Sequence, residues 1–247
     1  MTQLRKFISE TISAHETSLD RSNPRDYIDM FLIGQKENPT LSMENLVTCC
    51  MDLFVAGSET TSKSLMFAVA LMIRHPDVEE KIRKEIRSVI GERDLVRLKD
   101  KEQLPYTEAA LNEVWRIGNI VPLTPPRVTT DPLKIGKFEI PASTMIMSST
   151  YTIHMDEKYW GDPHIFRPER FLANEEFKAD ERNIPFGIGK RRCLGENLAR
   201  MENFLLFSNL LKNFSFQSVN GKLPDLSPQA GFTNGPQPFE TFIQLLD

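Results

Sequence analysis

Phe186-Gly-Ile-Gly-Lys-Arg-Arg-Cys-Leu-Gly195 is the stretch on which the reading of this chain turns. It sets one cysteine, Cys193, among glycines and bases, just ahead of an apolar helical pattern. Only the thiolate form of cysteine is a strong metal ligand. Arg191 and Arg192 bring positive charge to the sulfur. A helix beginning after Gly195 points the positive end of its dipole back at Cys193. The unpaired N–H groups of its first turn can donate to the sulfur. Gly187, Gly189 and Gly195 carry no side chains, so a flat ligand can approach the backbone closely. A merely structural, buried cysteine would require neither three glycines nor the adjacent bases.

Working outward, the 247 residues are 40% hydrophobic and 26% charged, an ordinary globular composition with enough chain for a sizeable core. A net charge of −4 leaves no global footprint for nucleic acid or an anionic membrane. Three cysteines, an odd and low count, argue against a secreted disulfide framework and for a reducing compartment. Cys49 and Cys50 read as core fillers. The N-terminus has no apolar signal core, and no run of 18 apolar residues occurs anywhere. Nucleotide-binding glycine motifs are absent too. None of the histidines at 15, 75, 154 and 164 stands at metal-ligand spacing, and His154 reads as a capping or loop residue.

The periodicity predicts a helix over residues 1–19 and a loop over 20–40 around a short apolar piece, Tyr27 to Ile33. A long helix follows from Ser42, a plausible N-cap, to Arg74 before Pro76. Gly57 interrupts it at about 1 kcal/mol in propensity, so it needs a reason to be there. Pro76 starts a further helix that Gly91 ends, and another runs from Pro105 to Ile117. Leu133 to Ile140 alternates like a hairpin with Gly136 at its turn, and Met145 to Tyr151 reads as a strand. Residues 156–192 read as a long irregular stretch, of the kind that is usually functional. A last helix, from Gly195 to Phe214, is expected to bury Leu198, Met201, Leu205 and Leu206. A strand-like piece, Glu240 to Leu246, closes the tail.

The cysteine stretch resembles the haem-binding loop of the cytochrome P450 family, Phe-x-x-Gly-x-Arg-x-Cys-x-Gly. Phe186, Gly189, Arg191, Cys193 and Gly195 fill all five specified positions. Ala56-Gly-Ser-Glu-Thr-Thr61 is similar to that family's oxygen-activating segment, and Glu113-Val-Trp-Arg116 and Pro168-Glu-Arg-Phe171 to the two segments of its ion network. The resemblance covers essentially the whole chain and implies the C-terminal half of the P450 fold. That is a mainly α architecture with small β-sheets, built on a long central helix and a cysteine-ligand loop. Residues 1–247 would form one partial domain, with the N-terminal half, its membrane anchor and most of the substrate lid missing.

The same resemblance implies haem b with Cys193 as axial thiolate. Arg191 and Arg127 would contact the haem propionates, although the Arg127 segment carries Pro126 where many relatives have His. Gly57 would leave room for oxygen, and Glu59 and Thr60 would relay protons during its activation. Glu113, Arg116 and Arg170 would form a buried structural ion network, completed by other acceptors such as backbone carbonyls. The implied activity is monooxygenation of a small lipophilic substrate at the endoplasmic reticulum membrane. Electrons would come from NADPH through NADPH–cytochrome P450 reductase, docking on the cysteine side near Lys190. Two other readings remain open. One is a truncated, non-catalytic haem binder or partner protein. The other is a peroxide-using isomerase or dehydratase, against which the intact Glu59–Thr60 pair argues.

Overall fold

Helical periodicity organises most of the chain in the computed structural model, which describes residues 2–38, 40–229 and 231–246. Contacts divide the chain into two units, residues 1–59 and 60–247. In the first, α1 (Thr2–Ser18) and α2 (Tyr27–Gly34) share a small core with the start of α3 (Met43–Arg74). Ile8, Ile12, Phe31, Leu32, Leu46 and Val47 fill that core. Residues 27–34 are thus helical rather than loop. Asp26 supplies the cap, its Oδ1 accepting from the amides of Ile28 and Asp29 at 2.9 and 3.1 Å. Pro39, read as a loop punctuator, lies outside the described residues. Cys49 and Cys50 are half-buried, and Cys50, as expected of a core filler, packs against this core.

In the second unit, α3 ends before α4 (Pro76–Ile90), whose Pro76 occupies the first helical turn. Val78, Ile82, Ile86 and Ile90, four apart, form its buried stripe. Gly91 follows with φ +58°, in the left-handed region that glycine tolerates. A 3₁₀ turn at Leu98–Gln103 leads into α5 (Pro105–Gly118). α5 is buried on nearly every side, including its polar Thr107, Glu108, Asn112, Glu113 and Arg116. A helix with that much buried polarity must be bonded from several directions.

Among the described residues, four small antiparallel pairs follow. β1 (Arg127–Val128) pairs with β4 (Met145–Ile146), and β2 (Leu133–Ile135) with β3 (Phe138–Ile140) around Gly136 at φ +58°. The expected strand to Tyr151 stops at Ile146, because Ser149 turns to cap α6 (Thr150–His154), accepting from the Thr152 amide. The stretch 156–192 holds α7 (Glu157–Trp160), a 3₁₀ turn at Pro168–Phe171, and the hairpin of β5 (Leu172–Ala173) and β6 (Glu176–Phe177). Each is too short to show a period in sequence. α8 (Glu196–Asn213) runs into β7 (Phe214–Ser218), which pairs with β8 (Thr241–Leu245).

One core face differs from expectation. Leu198 and Leu206 of α8 are 57% and 47% exposed. The buried face is Phe204, Phe207 and Leu211, with Asn203 and Ser208. Two phenylalanines remove more apolar area from water than leucine and methionine, and they win the orientation of the helix. They join Phe67 and Leu71 of α3, Ile82 and Ile86 of α4, and Leu111 and Val114 of α5 in one cluster.

Candidate active site

The loop between β6 and α8 presents Cys193 at the surface of the second unit. Its path is fixed by backbone bonds. The Cys193 amide donates to the Phe186 carbonyl at 2.8 Å, and a 3₁₀ turn at Gly189–Arg191 is closed by the Arg192 amide on the Gly189 carbonyl. Gly187 and Gly189 have φ of +73° and +74°. A Cβ at Gly189 would meet no described atom within 4 Å, so conformation rather than crowding selects glycine there. Gly195 is the N-cap of α8, which places Cys193 just before that helix's N-terminus.

Aromatic packing anchors the loop's first residue. Phe186 meets Trp115 of α5 edge to face, with centroids 5.4 Å apart. The Arg200 guanidinium of α8 lies 4.9 Å from the Trp115 centroid and 4.8 Å from that of Phe186, and its Nε donates to Glu196 Oε1 at 3.0 Å. Sequence reading did not find Arg200 or Trp115, since nothing local marks a pair brought together across 85 residues.

Around Cys193 the structure gathers Arg127, Lys190, Arg191, Arg192 and Leu194, which line a cavity of about 520 Å³. β1 contributes Arg127 through its pairing with β4. Arg127 and Arg191, far apart in sequence, therefore face one cavity. One exposed thiol as the sole sulfur of the lining, with four basic side chains against the single carboxylate of Glu196, is a donor set that fits a flat anionic group needing one soft ligand.

Behind the loop, Glu113 is fully buried and accepts four hydrogen bonds. Arg116 donates from Nε to Oε2 at 2.7 Å and from Nη2 to Oε1 at 2.8 Å. Arg170 Nε and the Arg167 amide donate to Oε1 at 2.9 and 3.1 Å. The remaining guanidinium protons go to carbonyls. Arg116 bonds those of His154 and Pro163, and Arg170 those of Trp160, Asp162 and Ile165. Asp162 Oδ1 also accepts from Arg170 at 3.0 Å, a second carboxylate that sequence reading did not count. The Trp160 ring lies 5.1 Å from the Arg116 guanidinium and 5.8 Å from that of Arg170.

His154 is not a capping or loop residue. It is fully buried, and its Nε2 accepts from the Ile184 amide at 3.0 Å, which places the proton on Nδ1. That Nδ1 donates to Asn119 Oδ1 at 2.8 Å, while Asn119 Nδ2 donates to the Arg116 carbonyl. Burial, and then the charge of Arg116, push the His154 pKa down to about 4. His154 thereby ties α5 to the chain entering the cysteine loop. Gly57, Glu59 and Thr60 all lie on α3. A side chain at Gly57 would meet no described atom within 4 Å, so packing within this chain does not demand glycine there.

The cytochrome P450 family model matches residues 1–242. The chain belongs to the cytochrome P450 family. Among curated relatives, it is similar to mouse (Mus musculus) cytochrome P450 2J5, 42% identical over 226 residues, 90% of this chain and 45% of that protein. Human (Homo sapiens) cytochrome P450 2U1 is 40% identical, with 96% of this chain and 45% of that protein covered. Mouse cytochrome P450 2C29 is 39% identical, with 98% and 51% covered. The chain thus spans about half the length of the curated relatives it matches. As a P450 chain it has the mainly α fold with small sheets expected from the motifs. No helix among the described residues is long and apolar enough to cross a membrane.

Proposed function

We propose that this chain is a partial P450 domain that binds haem through Cys193 and serves monooxygenation of a small lipophilic substrate. The observation that carries the reading is the exposed Cys193 thiol in a glycine-shaped loop, facing a cavity lined by Arg127, Arg191 and Arg192. Cys193 would be the axial thiolate. Arg127 and Arg191 would hold the haem carboxylates. The haem, when bound, supplies dioxygen activation, with electrons from NADPH delivered through NADPH–cytochrome P450 reductase.

The protein's own groups would do the rest. Gly57 leaves room beside α3. Thr60 and Glu59 hold and pass protons, a task suited to a hydroxyl backed by a carboxylate. The buried Glu113–Arg116–Arg170 network keeps α5 and the 168–171 turn in place, and His154 links α5 to the cysteine loop. Lys190 and Arg192, both exposed, would offer positive charge to an acidic reductase surface. An endoplasmic reticulum membrane location follows from the resemblance to microsomal members of the family.

The test is product formation from a lipophilic probe such as lauric acid, with the haem-loaded chain, reductase, NADPH and O₂. Product that depends on both NADPH and O₂, and that falls at least tenfold in Thr60→Ala while NADPH consumption persists, is expected. Haem retained one-to-one with no product would instead leave a haem-binding chain without turnover. Turnover driven by peroxides alone, independent of NADPH, would favour the isomerase or dehydratase class.

A further inference from the structure

Away from the cysteine loop, three side chains of the first unit gather metal-ligand atoms at one point. His15, in the last turn of α1, Asp26, the cap of α2, and Asp29, in its first turn, each offer a ligand atom within 4.8 Å of the other two. Asp29 is fully buried and the Asp26 side chain is 45% exposed, so the group reaches water at Asp26. Spacing in the sequence did not show this, because His15 and Asp26 stand 11 residues apart.

The bonds already made leave the right atoms over. Asp26 Oδ1 accepts from the amides of Ile28 and Asp29, while Oδ2 faces His15 Nε2 at 2.7 Å. Arg25 donates to Asp29 Oδ2 from its amide and Nε, and to Oδ1 from Nη2 alone, which leaves Oδ1 a second lone pair. His15 Nδ1 lies 2.8 Å from the Thr11 carbonyl, which only accepts, so Nδ1 keeps a proton and Nε2 is the ring's ligand atom. Metal-bound histidines are oriented in this way, by a carbonyl behind the second nitrogen.

Charge points in the same direction. Two carboxylates face one guanidinium, that of Arg25, so with a neutral imidazole the cluster lacks one positive charge. A proton on Nε2 supplies it, and the bonds to Thr11 and then Asp26 raise the His15 pKa above its ordinary value. A dication can take that proton's place. Around tetrahedral zinc, with bonds of about 2.0 Å, ligand atoms stand about 3.3 Å apart. The Nε2–Oδ2 pair must open to that from 2.7 Å, and Asp29 must come in from no more than 4.8 Å, both within reach of side-chain rotation. An imidazole among the ligands favours zinc over calcium or magnesium, which take oxygen.

We propose that His15, Asp26 and Asp29 form a zinc site, with Nε2, two carboxylate oxygens and a water as ligands, that clamps α1 to the start of α2. The site is independent of the haem reading.

The test is calorimetric titration of the chelator-treated full chain with zinc chloride, in a Cys193→Ala background that removes the exposed thiol as a competing ligand. One zinc per chain, bound at micromolar Kd or tighter, is expected. Losing a partner behind a ligand costs about 10–100-fold in metal affinity, so losing a ligand in His15→Gln or Asp26→Asn should cost at least about tenfold. Asparagine is as good a helix cap as aspartate, so D26N keeps the start of α2. In the same background with His15 and Asp26 intact, zinc should move the ring nitrogen resonances of His15 and of no other histidine, a readout that needs neither variant to fold. No zinc uptake, affinity within twofold of the background in both variants, or a shifted ring other than His15 overturns the site. Calcium binding there more tightly than zinc overturns the choice of metal.

Discussion

Replacing Glu113 by Gln would remove the negative charge from between Arg116 and Arg170 while keeping the side chain's shape. Arg116 is fully buried and the Arg170 side chain is 5% exposed, so neither guanidinium can turn to water. Glu113 accepts four hydrogen bonds, two from Arg116, one from Arg170 and one from the Arg167 amide. A glutamine oxygen could keep some of these, but its NH₂ would face a guanidinium donor. Breaking a buried pair by neutralising one partner costs about 3–5 kcal/mol. At roughly 2–4 °C per kcal/mol for a unit of this size, the melting temperature should drop by about 6–20 °C. Arg170→Met should cost less, because Arg116 still neutralises Glu113 and Asp162 keeps its ion pair with Arg167. The assay is urea unfolding followed by circular dichroism, comparing midpoints at constant slope. A loss under about 1 kcal/mol in E113Q, or a larger loss in R170M than in E113Q, would refute the view that Glu113 is the charge around which the network is built.

The His154 pKa of about 4 lies below the ordinary histidine value of about 6.5, so the unfolded chain binds the extra proton first. His154's contribution is therefore fully present above about pH 6.5 and is lost as pH falls toward 4. That amounts to roughly 3 kcal/mol at about 1.4 kcal/mol per pKa unit. Urea midpoints from pH 7 to 4.5 should fall more steeply in the wild type than in His154→Gln, and parallel curves would exclude the mechanism. Gly189→Ala should destabilise the cysteine loop by about 1–2 kcal/mol, since alanine at φ +74° is strained. Faster exchange of the Cys193 amide, whose bond to Phe186 closes the loop, would report it, and unchanged protection would count against that strain. Phe204→Ala, at the fully buried face of α8, should cost about 3–5 kcal/mol, whereas Leu198→Ala should cost under about 1. Equal losses would restore the face expected from sequence.

Signals carried by short motifs were legible, including the Glu113–Arg116–Arg170 network, and contacts that no motif marks were not. The cysteine loop could be read because its five specified residues and its glycine conformations sit within ten positions. Pro76, Gly91 and Gly136 mark their helix ends and turn through backbone chemistry alone. The face of α8 was misjudged because Leu198, Met201 and Leu206 satisfy helical spacing as well as Phe204, Phe207 and Leu211 do. Only the surrounding helices decide between them. α2 escaped because Asp26, a strong cap, was hidden between Pro24 and Gly34. His154 looked unremarkable because its partners, Asn119 and the Ile184 amide, are 35 and 30 residues away. Asp162 escaped although Arg170 is only eight residues on, because the irregular stretch between them has no period that would place its carboxylate.

Ligation of haem iron by Cys193 would be visible in the ferrous–carbon monoxide spectrum. The wild-type chain, loaded with haem and reduced under CO, should show the strongly red-shifted Soret band of thiolate ligation. Cys193→Ala should lose that band while the fold, followed by circular dichroism, persists. An unshifted band in the wild type, or a red-shifted band that survives in C193A, would mean that Cys193 is not the ligand.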